Sequence, residues 1–223
     1  MPRIVLLHAT PVAMQPIHTA FTAGWADAET INLLDDGLSI DRARETDLSE
    51  EMIDRFVKFG LYGRDMNADG ILVTCSAFGP AIDRLEAAVT IPVLRPNEAM
   101  FHEAVALGSK IGMLATFEPA VSTMTDEFDE YIRTTGNHAT LRTILVERAI
   151  DLLKKGDVES HNRLVAERAP ELADCDVIML AHFSTSRAAS SVRALTSTPV
   201  LTAPDAAVKR MRAMVENTAA ARA

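Results

Sequence analysis

The sequence is poor in several features, and each shortage excludes a class of protein. It has only two cysteines, Cys75 and Cys175, which lie far apart and give no disulfide framework, so we expect a cytoplasmic protein. No apolar run approaches the roughly 18 residues that a membrane helix requires. The net charge of -9 argues against nucleic acid or an anionic membrane as a partner.

Motifs for nucleotide cofactors are missing as well. Neither a glycine-rich dinucleotide fingerprint nor a phosphate-loop lysine motif follows the first apolar run, Ile4–Leu7. Cys75, His8 and His182 are residue types that bind metals, but their spacing has no zinc-site signature. We therefore expect neither a cofactor nor a metal.

What the sequence does contain is an internal repeat. The segment Asp69–Cys75 (DGILVTC) aligns with Asp176–His182 (DVIMLAH), 107 positions later. The same offset relates Ile91–Leu94 to Thr198–Leu201, and Arg3-Ile4 to Lys110-Ile111. One offset at three separated places in a chain of 223 residues predicts two similar halves.

Short apolar runs alternate with longer amphipathic stretches throughout the chain. The runs are continuously apolar, which is typical of parallel strands covered on both faces. The candidate strands are Ile4–Leu7, Thr30–Leu34, Gly70–Thr74, Pro92–Leu94, Ile111–Leu114, Leu141–Val146, Val177–Leu180 and Pro199–Leu201. Four βα units in each half predict an α/β fold with parallel sheets.

Helix-start signals support the segments between these strands. Ser49 precedes two glutamates and an amphipathic stretch, so it is expected to cap a helix. Asn97 is expected to cap the next one, which ends at Gly108. A helix beginning at Asp157 is expected to extend as far as Leu172.

The repeat places one reactive side chain at the end of a strand in each half. Ligands of such folds sit beyond the carboxyl ends of the strands, where Cys75 and His182 both fall. A thiol beside a helix N-terminus gains thiolate character, and a histidine can accept or donate a proton. The alternatives are that Cys75 is a small buried apolar residue and that His182 is a structural histidine or a neutral substrate contact. Cys175 precedes its strand and is interpreted as a packing residue.

Hydroxyl side chains cluster at the same predicted edge. Near helix N-termini they and the adjacent backbone N–H groups would cradle a carboxylate, although capping alone explains most of them. They are Thr10, Thr74, Ser76, Thr116, Ser184, Thr185 and Ser186.

Three of these segments resemble a known family. Ile71–Gly79 (ILVTCSAFG), Lys110–Thr116 (KIGMLAT) and the repeated Pro-Val-Leu strands are similar to the aspartate/glutamate racemase superfamily. That group also contains hydantoin racemases, maleate isomerases and arylmalonate decarboxylases. The resemblance implies two α/β domains, each with a four-stranded parallel sheet flanked by helices, related by a pseudo-twofold axis. It places the active site between them.

The domain bounds are a prediction of their own, and the family implies site residues. We expect residues 1–96 plus 206–223 to form the first domain and 97–205 the second. In the family's racemases one cysteine works from each domain; here the first position falls on Cys75 and the second on His182. The positions implied for substrate binding, together with the hydroxyl and neighbouring residues of the same edge, are Thr10, Thr74, Ser76, Thr116, Phe183 and Ser184.

The implied activity is proton transfer without a cofactor at a carbon beside a carboxylate. The leading hypothesis is a racemase or isomerase with Cys75 as the acid/base, acting on an amino acid, a hydantoin or a related small acid. Two alternatives stay open: a decarboxylase or lyase of the same superfamily, and a small-acid-binding protein without activity. A small carboxylate-bearing molecule is the expected partner in each case, and a homo-oligomer is compatible with all three.

Overall fold

The chain folds around two parallel β-sheets. The computed structural model describes residues 1–45 and 47–222. The first sheet contains β1 (Arg3–His8), β2 (Glu29–Leu34), β3 (Gly70–Val73) and β4 (Val93–Leu94). The second contains β5 (Lys110–Ala115), β6 (Thr140–Leu145), β7 (Val177–Leu180) and β8 (Val200–Thr202). The strand orders are β2-β1-β3-β4 and β6-β5-β7-β8, with every pairing parallel.

Helices connect successive strands, and together with the sheets they confirm the predicted α/β fold class. The helices are α1 (Met14–Gly24), α2 (Gly37–Arg42), α3 (Glu50–Arg64), α4 (Gly79–Ala88), α5 (Glu98–Leu107), α6 (Pro119–Thr135), α7 (Ala149–Lys154), α8 (Val158–Glu167), α9 (His182–Thr185), α10 (Ala189–Arg193) and α11 (Ala203–Arg222). Short 3-10 turns cover Pro11–Ala13, Ser76–Phe78, Ala169–Leu172 and Ser186–Ala188.

The helix caps follow the sequence signals in two cases and depart from them in others. Ser49 accepts a hydrogen bond from the Met52 N–H, and Asp157 accepts one from the Ser160 N–H, as expected of N-caps. Asn97 occupies the N-cap position of α5, but its amide donates to Glu127 instead, at 2.8 Å. The expected extension of α8 to Leu172 is wrong, since α8 ends at Glu167 and Leu172 closes a separate 3-10 turn.

The chain divides into two compact units. The first comprises residues 1–96 and 207–223, and the second comprises residues 97–206, so α11 begins in the second unit and continues in the first. In the first unit, α3 and α4 pack on one face of the sheet, where the rings of Phe56 and Phe78 stack with centroids 5.1 Å apart. In the second unit, a separate core forms under α8 and α10.

The internal repeat extends to the register of the sheets. Ile4 pairs with Gly70 in the first sheet, and Ile111 pairs with Val177 in the second, so both partners are displaced by 107 residues (111 − 4 and 177 − 70). At the opposite edge from the strand ends, Asp69 accepts a hydrogen bond from the Arg3 N–H at 2.8 Å.

Its counterpart in the second sheet, Asp176, accepts one from the Lys110 N–H at the same 2.8 Å. This aspartate tethers the start of the neighbouring strand in both units, which explains why the repeated segments begin with Asp.

Candidate functional site

Cys75 lies at the carboxyl edge of the first sheet. Two residues beyond the end of β3, it occupies the N-cap position of the 3-10 turn Ser76–Phe78, with φ -134° and ψ 123°. That turn leads directly into α4. The side chain is half-buried. The thiol is therefore placed where a ligand of a parallel sheet binds, at the start of a helical segment.

Three of the predicted hydroxyl side chains lie at the same edge of the first sheet as Cys75. Thr74 is buried, and its Oγ1 lies 3.1 Å from the Leu7 carbonyl oxygen and 2.9 Å from Nδ1 of His8. Ser76 is half-buried and begins the 3-10 turn after Cys75. Thr10 is also half-buried and precedes the turn that follows β1. All three predicted hydroxyls lie just beyond the strands β1 and β3, which are neighbours.

A chain of polar side chains, missed by the sequence reasoning, continues inward from Thr74. His8, the last residue of β1, is 1% exposed, and its Nε2 lies 2.9 Å from Oδ1 of Asn32 on β2. The Asn32 amide also contacts Nε2 of His18 on α1, which lies 2.8 Å from the amide nitrogen and 3.0 Å from the amide oxygen. Burial lowers the pKa of His8, and the Asn32 hydrogen bond only partly opposes it. The feature of the sequence that could have indicated these hydrogen-bonded side chains is a histidine at the end of an otherwise apolar run.

His182 lies in the second unit at the position that corresponds to Cys75. It opens α9 with φ 64°, a left-handed conformation that is uncommon for a residue with a side chain. Its Nε2 is buried and has no hydrogen-bond partner within the described part of the chain. Burial lowers the pKa of His182 to about 4, so the imidazole is neutral at pH 7. Backbone strain and an unpaired polar atom together are typical of functional positions.

The remaining predicted residues of the second unit surround α9. Thr116, just after β5, is buried, and its Oγ1 lies 3.3 Å from that of Thr185 at the end of α9. Ser184 and Phe183 are buried as well. Two threonine hydroxyls thus meet at the carboxyl edge of this sheet, as Thr74 and His8 do in the first.

Cys175 lies at the other edge of the second sheet. It precedes β7 and packs, partly buried, against the core of that unit. Burial raises the pKa of its thiol, and the nearby Asp174 carboxylate raises it further. Both effects disfavour the thiolate of Cys175, whereas a catalytic thiol requires a stabilised thiolate.

A surface depression of the first unit lies beside α2 and α3, and its charges are largely paired with each other. Arg55 donates to both oxygens of Asp35, at 2.7 and 3.0 Å, and to Asp41 at 2.7 Å. The depression is lined by Asp41, Arg44, Glu45, Ser49, Glu51, Met52 and Arg55. It contains none of the predicted site residues.

Two further properties concern partners. Within residues 1–45 and 47–222, no three His, Cys, Asp or Glu side chains are grouped so that they could hold a metal ion. Over the same residues, every helix is too short or too polar to cross a membrane.

Comparison with known sequences decides the family. The sequence profile described as Asp/Glu/Hydantoin racemase matches residues 39–169, which is more than half of the chain and includes Cys75. The chain belongs to this family. The predicted resemblance is thereby confirmed. No curated protein matches the chain in sequence.

Solved structures of racemases share the fold of this family member. Allantoin racemase from Klebsiella pneumoniae is 17% identical with a TM-score of 0.75, covering 98% of this chain and 89% of its own. Glutamate racemase from Francisella tularensis, in complex with D-glutamate, is 16% identical with a TM-score of 0.70, covering 97% and 82%. An aspartate racemase homologue from Pyrococcus horikoshii is 12% identical with a TM-score of 0.72, covering 97% and 100%. At these identities the likeness establishes the fold.

Proposed function

We propose that this racemase-family protein is a cofactor-independent racemase or isomerase that transfers a proton at a carbon next to a carboxylate, with Cys75 as the acid/base. The observation that carries the proposal is the position of Cys75, beyond a central strand and at the start of a helical segment, inside the family match. A thiol has an ordinary pKa of about 8.5, so modest stabilisation of the thiolate makes it a useful base near neutral pH.

The surrounding hydroxyls supply what such a reaction needs besides a base. Removing the proton places negative charge on the substrate carboxylate, and donors already aimed at that group stabilise the charge as it grows. In the first unit Thr74, Ser76 and Thr10 are the proposed donors. In the second, Thr116 and Ser184 contribute in the same way, with Phe183 behind them.

His182 is proposed to act on the same substrate as Cys75. The low pKa of His182 keeps its imidazole neutral at pH 7. A neutral imidazole can accept a proton as a general base, whereas only the protonated imidazolium can donate one as a general acid. In this proposal His182 accepts a proton in its neutral form, and Cys75 acts as acid or base. The unpaired Nε2 is the atom that would receive the proton.

The same observation favours one alternative. At neutral pH His182 is not protonated and therefore cannot serve as a proton donor. Racemisation in both directions requires a proton donor on each face of the carbon in turn, whereas an enzyme that only delivers a proton from Cys75 does not require one at His182. A decarboxylase or lyase works in this way, releasing carbon dioxide and then protonating the remaining carbanion from the thiol.

The first experiment identifies the reaction. Single enantiomers of glutamate, aspartate and allantoin, with a panel of hydantoins and malonic diacids, are incubated with the protein and followed by optical rotation, by carbon dioxide release and by proton exchange in D₂O. Cys75→Ser should lose turnover by about three or more orders of magnitude, since a serine hydroxyl is far too weak an acid to form the required anion.

Cys175→Ser is the matched control and should keep the activity, because that thiol lies at the other edge of its sheet. Full turnover by Cys75→Ser on any substrate found would refute the proposal. His182→Asn then separates the two reactions. A racemase should lose inversion while still exchanging the substrate proton through Cys75, whereas a decarboxylase should keep much of its rate.

A further inference from the structure

The polar pair His8–Thr74 interrupts the internal repeat. At the positions 107 residues later, the second sheet has Ala115 and Ala181 (8 + 107 and 74 + 107). The two sheets otherwise share strand order and register. Since the second sheet forms with alanine at both positions, the fold does not require a histidine and a threonine there. Their burial, at 1% and 7% exposure, needs another explanation.

The pair belongs to a continuous line of four side chains. From Thr74 Oγ1 to His8 Nδ1 the distance is 2.9 Å, and from His8 Nε2 to Asn32 Oδ1 it is 2.9 Å. His18 Nε2 lies 2.8 Å from Asn32 Nδ2 and 3.0 Å from Asn32 Oδ1. These four residues come from β3, β1, β2 and α1. The line begins next to Cys75 and ends at His18, which is half-buried.

The hydrogen-bond order along this line decides what the Thr74 hydroxyl does. With Asn32 Oδ1 towards His8, a neutral His8 carries its proton on Nε2, and Nδ1 accepts the Thr74 hydroxyl proton. If the Asn32 amide turns over, its nitrogen donates to His8 Nε2, and His8 carries its proton on Nδ1 instead. His8 then donates to Thr74, whose own proton is released for another acceptor. The change moves the His8 ring proton from Nε2 to Nδ1, so no proton is gained or lost overall.

We infer that His8, Asn32 and His18 are positioning residues that orient the Thr74 hydroxyl towards the carboxylate of a ligand beside Cys75. In the resting order the hydroxyl is donated into the protein, to His8 or to the Leu7 carbonyl. When a carboxylate arrives, the inverted order leaves every buried group satisfied while Thr74 donates to the ligand. This inference rests on the proposed function, because it takes Cys75 and Thr74 as parts of one site.

The test uses two alkylating reagents and needs no knowledge of the substrate. In a Cys175→Ser background, Cys75 is the single thiol and its alkylation is followed by mass spectrometry. Iodoacetate carries a carboxylate, and iodoacetamide is its neutral counterpart. For the folded protein, the rate of alkylation by iodoacetate is divided by the rate of alkylation by iodoacetamide. The resulting ratio is then divided by the same ratio for the protein unfolded in urea, which gives a selectivity quotient. A donor aimed at a carboxylate should raise this quotient by about 10-fold or more, as a hydrogen bond to a charged group does.

Two substitutions of His8 separate positioning from simple packing. In His8→Asn the amide takes the place of Nδ1 and still reaches Thr74, whereas in His8→Gln it takes the place of Nε2 and reaches Asn32 instead. We expect the quotient to stay within about 3-fold of the parent in His8→Asn and to fall by about 10-fold in His8→Gln. The quotient should fall equally in Thr74→Val, and it should fall no further in the Thr74→Val/His8→Gln double variant.

Each outcome decides between the two proposals. An unselective, slowly reacting Cys75 in the parent would overturn the proposed function and this inference with it. A selective parent whose selectivity survives in His8→Gln, or disappears equally in His8→Asn, would overturn the inference alone. Asn32→Leu, at a half-buried position, is the arm for the case in which His8 variants do not fold. It should lower the quotient, and an unchanged quotient would count against the inference.

Discussion

At the scale of single residues, His182 combines a left-handed backbone with a buried, unpaired ring nitrogen. Each property costs free energy, and the ring nitrogen has no hydrogen-bond partner within the described part of the chain. A left-handed non-glycine residue costs about 1 kcal/mol, and an unpaired buried polar atom costs about 1–3 kcal/mol. A residue kept at such cost is more readily explained by a ligand than by the fold.

His182→Asn is therefore expected to reduce the sensitivity of the protein to acid. The unfolded chain binds a proton at the ordinary histidine pKa of 6.5, but the folded chain binds it only near 4. Between these values the unfolded state holds more protons, so stability falls as the pH falls. The shift corresponds to roughly 3 kcal/mol. Asparagine tolerates the left-handed conformation and does not titrate.

Urea unfolding at pH 7 and pH 4 measures this effect. The loss of unfolding free energy between the two pH values should be smaller in His182→Asn than in the parent. His138→Asn, at an exposed position, is the control. Equal losses in His182→Asn and the parent would show that folding does not lower the pKa of His182.

The sequence predicted which residues lie at the strand ends but not how their atoms meet. Cys75 and Thr74 follow an apolar run, so their place at the carboxyl edge could be read from the pattern. The contact between His8 and Asn32 depends on β1 pairing with β2, and the one to His18 depends on how α1 packs. The left-handed backbone of His182 could not be read from the sequence either, because most histidines, although enriched among left-handed residues, do not adopt this conformation.

At the scale of elements, α3 and α4 approach each other closely at a glycine. A Cβ placed on Gly60 of α3 would collide with the side chain of Leu85 on α4, whose Cγ would lie 3.0 Å away. Leu85 is fully buried. This glycine is needed for its small size, although alanine is the better helix former by about 1 kcal/mol.

Gly60→Ala is expected to destabilise the protein by about 1–3 kcal/mol, since overpacking outweighs the gain in helix propensity. Gly24→Ala is the matched helical control, because the nearest atom to its Cβ would be 3.4 Å away, an ordinary contact. It should be neutral or slightly stabilising. Thermal and urea unfolding of both variants measure the difference, and a Gly60→Ala protein as stable as the parent would contradict the expected collision.

The strands were predictable where the helices were only partly so. All eight predicted strands are present within two residues of the expected bounds, because a buried parallel strand needs a continuous apolar run. The end of α8 was not predictable, since Leu172 is apolar and buried in a 3-10 turn just as it would be in a longer helix. The Asn97 amide was also misassigned, because a distant partner, Glu127, competes with the helix N-terminus.

At the scale of the whole molecule, the first unit is built from two separate stretches of chain. Its second stretch is most of α11, whose Met211 is fully buried and packs close to Gly70, where a Cβ would lie 2.6 Å from the Met211 sulfur. Val208 and Val215 on the same helix are buried as well. The first sheet is therefore covered in part by the last helix of the chain.

Met211→Ala is expected to cost about 2–5 kcal/mol of unfolding free energy, the usual cost of truncating a buried methionine. Met214→Ala, half-buried on the same helix, should cost clearly less. Urea unfolding followed by the fluorescence of Trp25, which lies in the first unit, measures both. Equal effects would mean that α11 does not complete the core of that unit.

This division of the first unit has a consequence for folding during synthesis on the ribosome. Residues 1–96 emerge first, but the apolar surface that Met211 and Val215 cover stays open until residues 207–223 have followed. The second unit, made from one uninterrupted stretch, has all its parts earlier and is free to fold before the first is finished. The unit that carries Cys75 is thus the first to be translated and the last to close. A nascent chain arrested after residue 206 should expose the β1 and β3 surface to chaperones while its second unit already resists proteolysis.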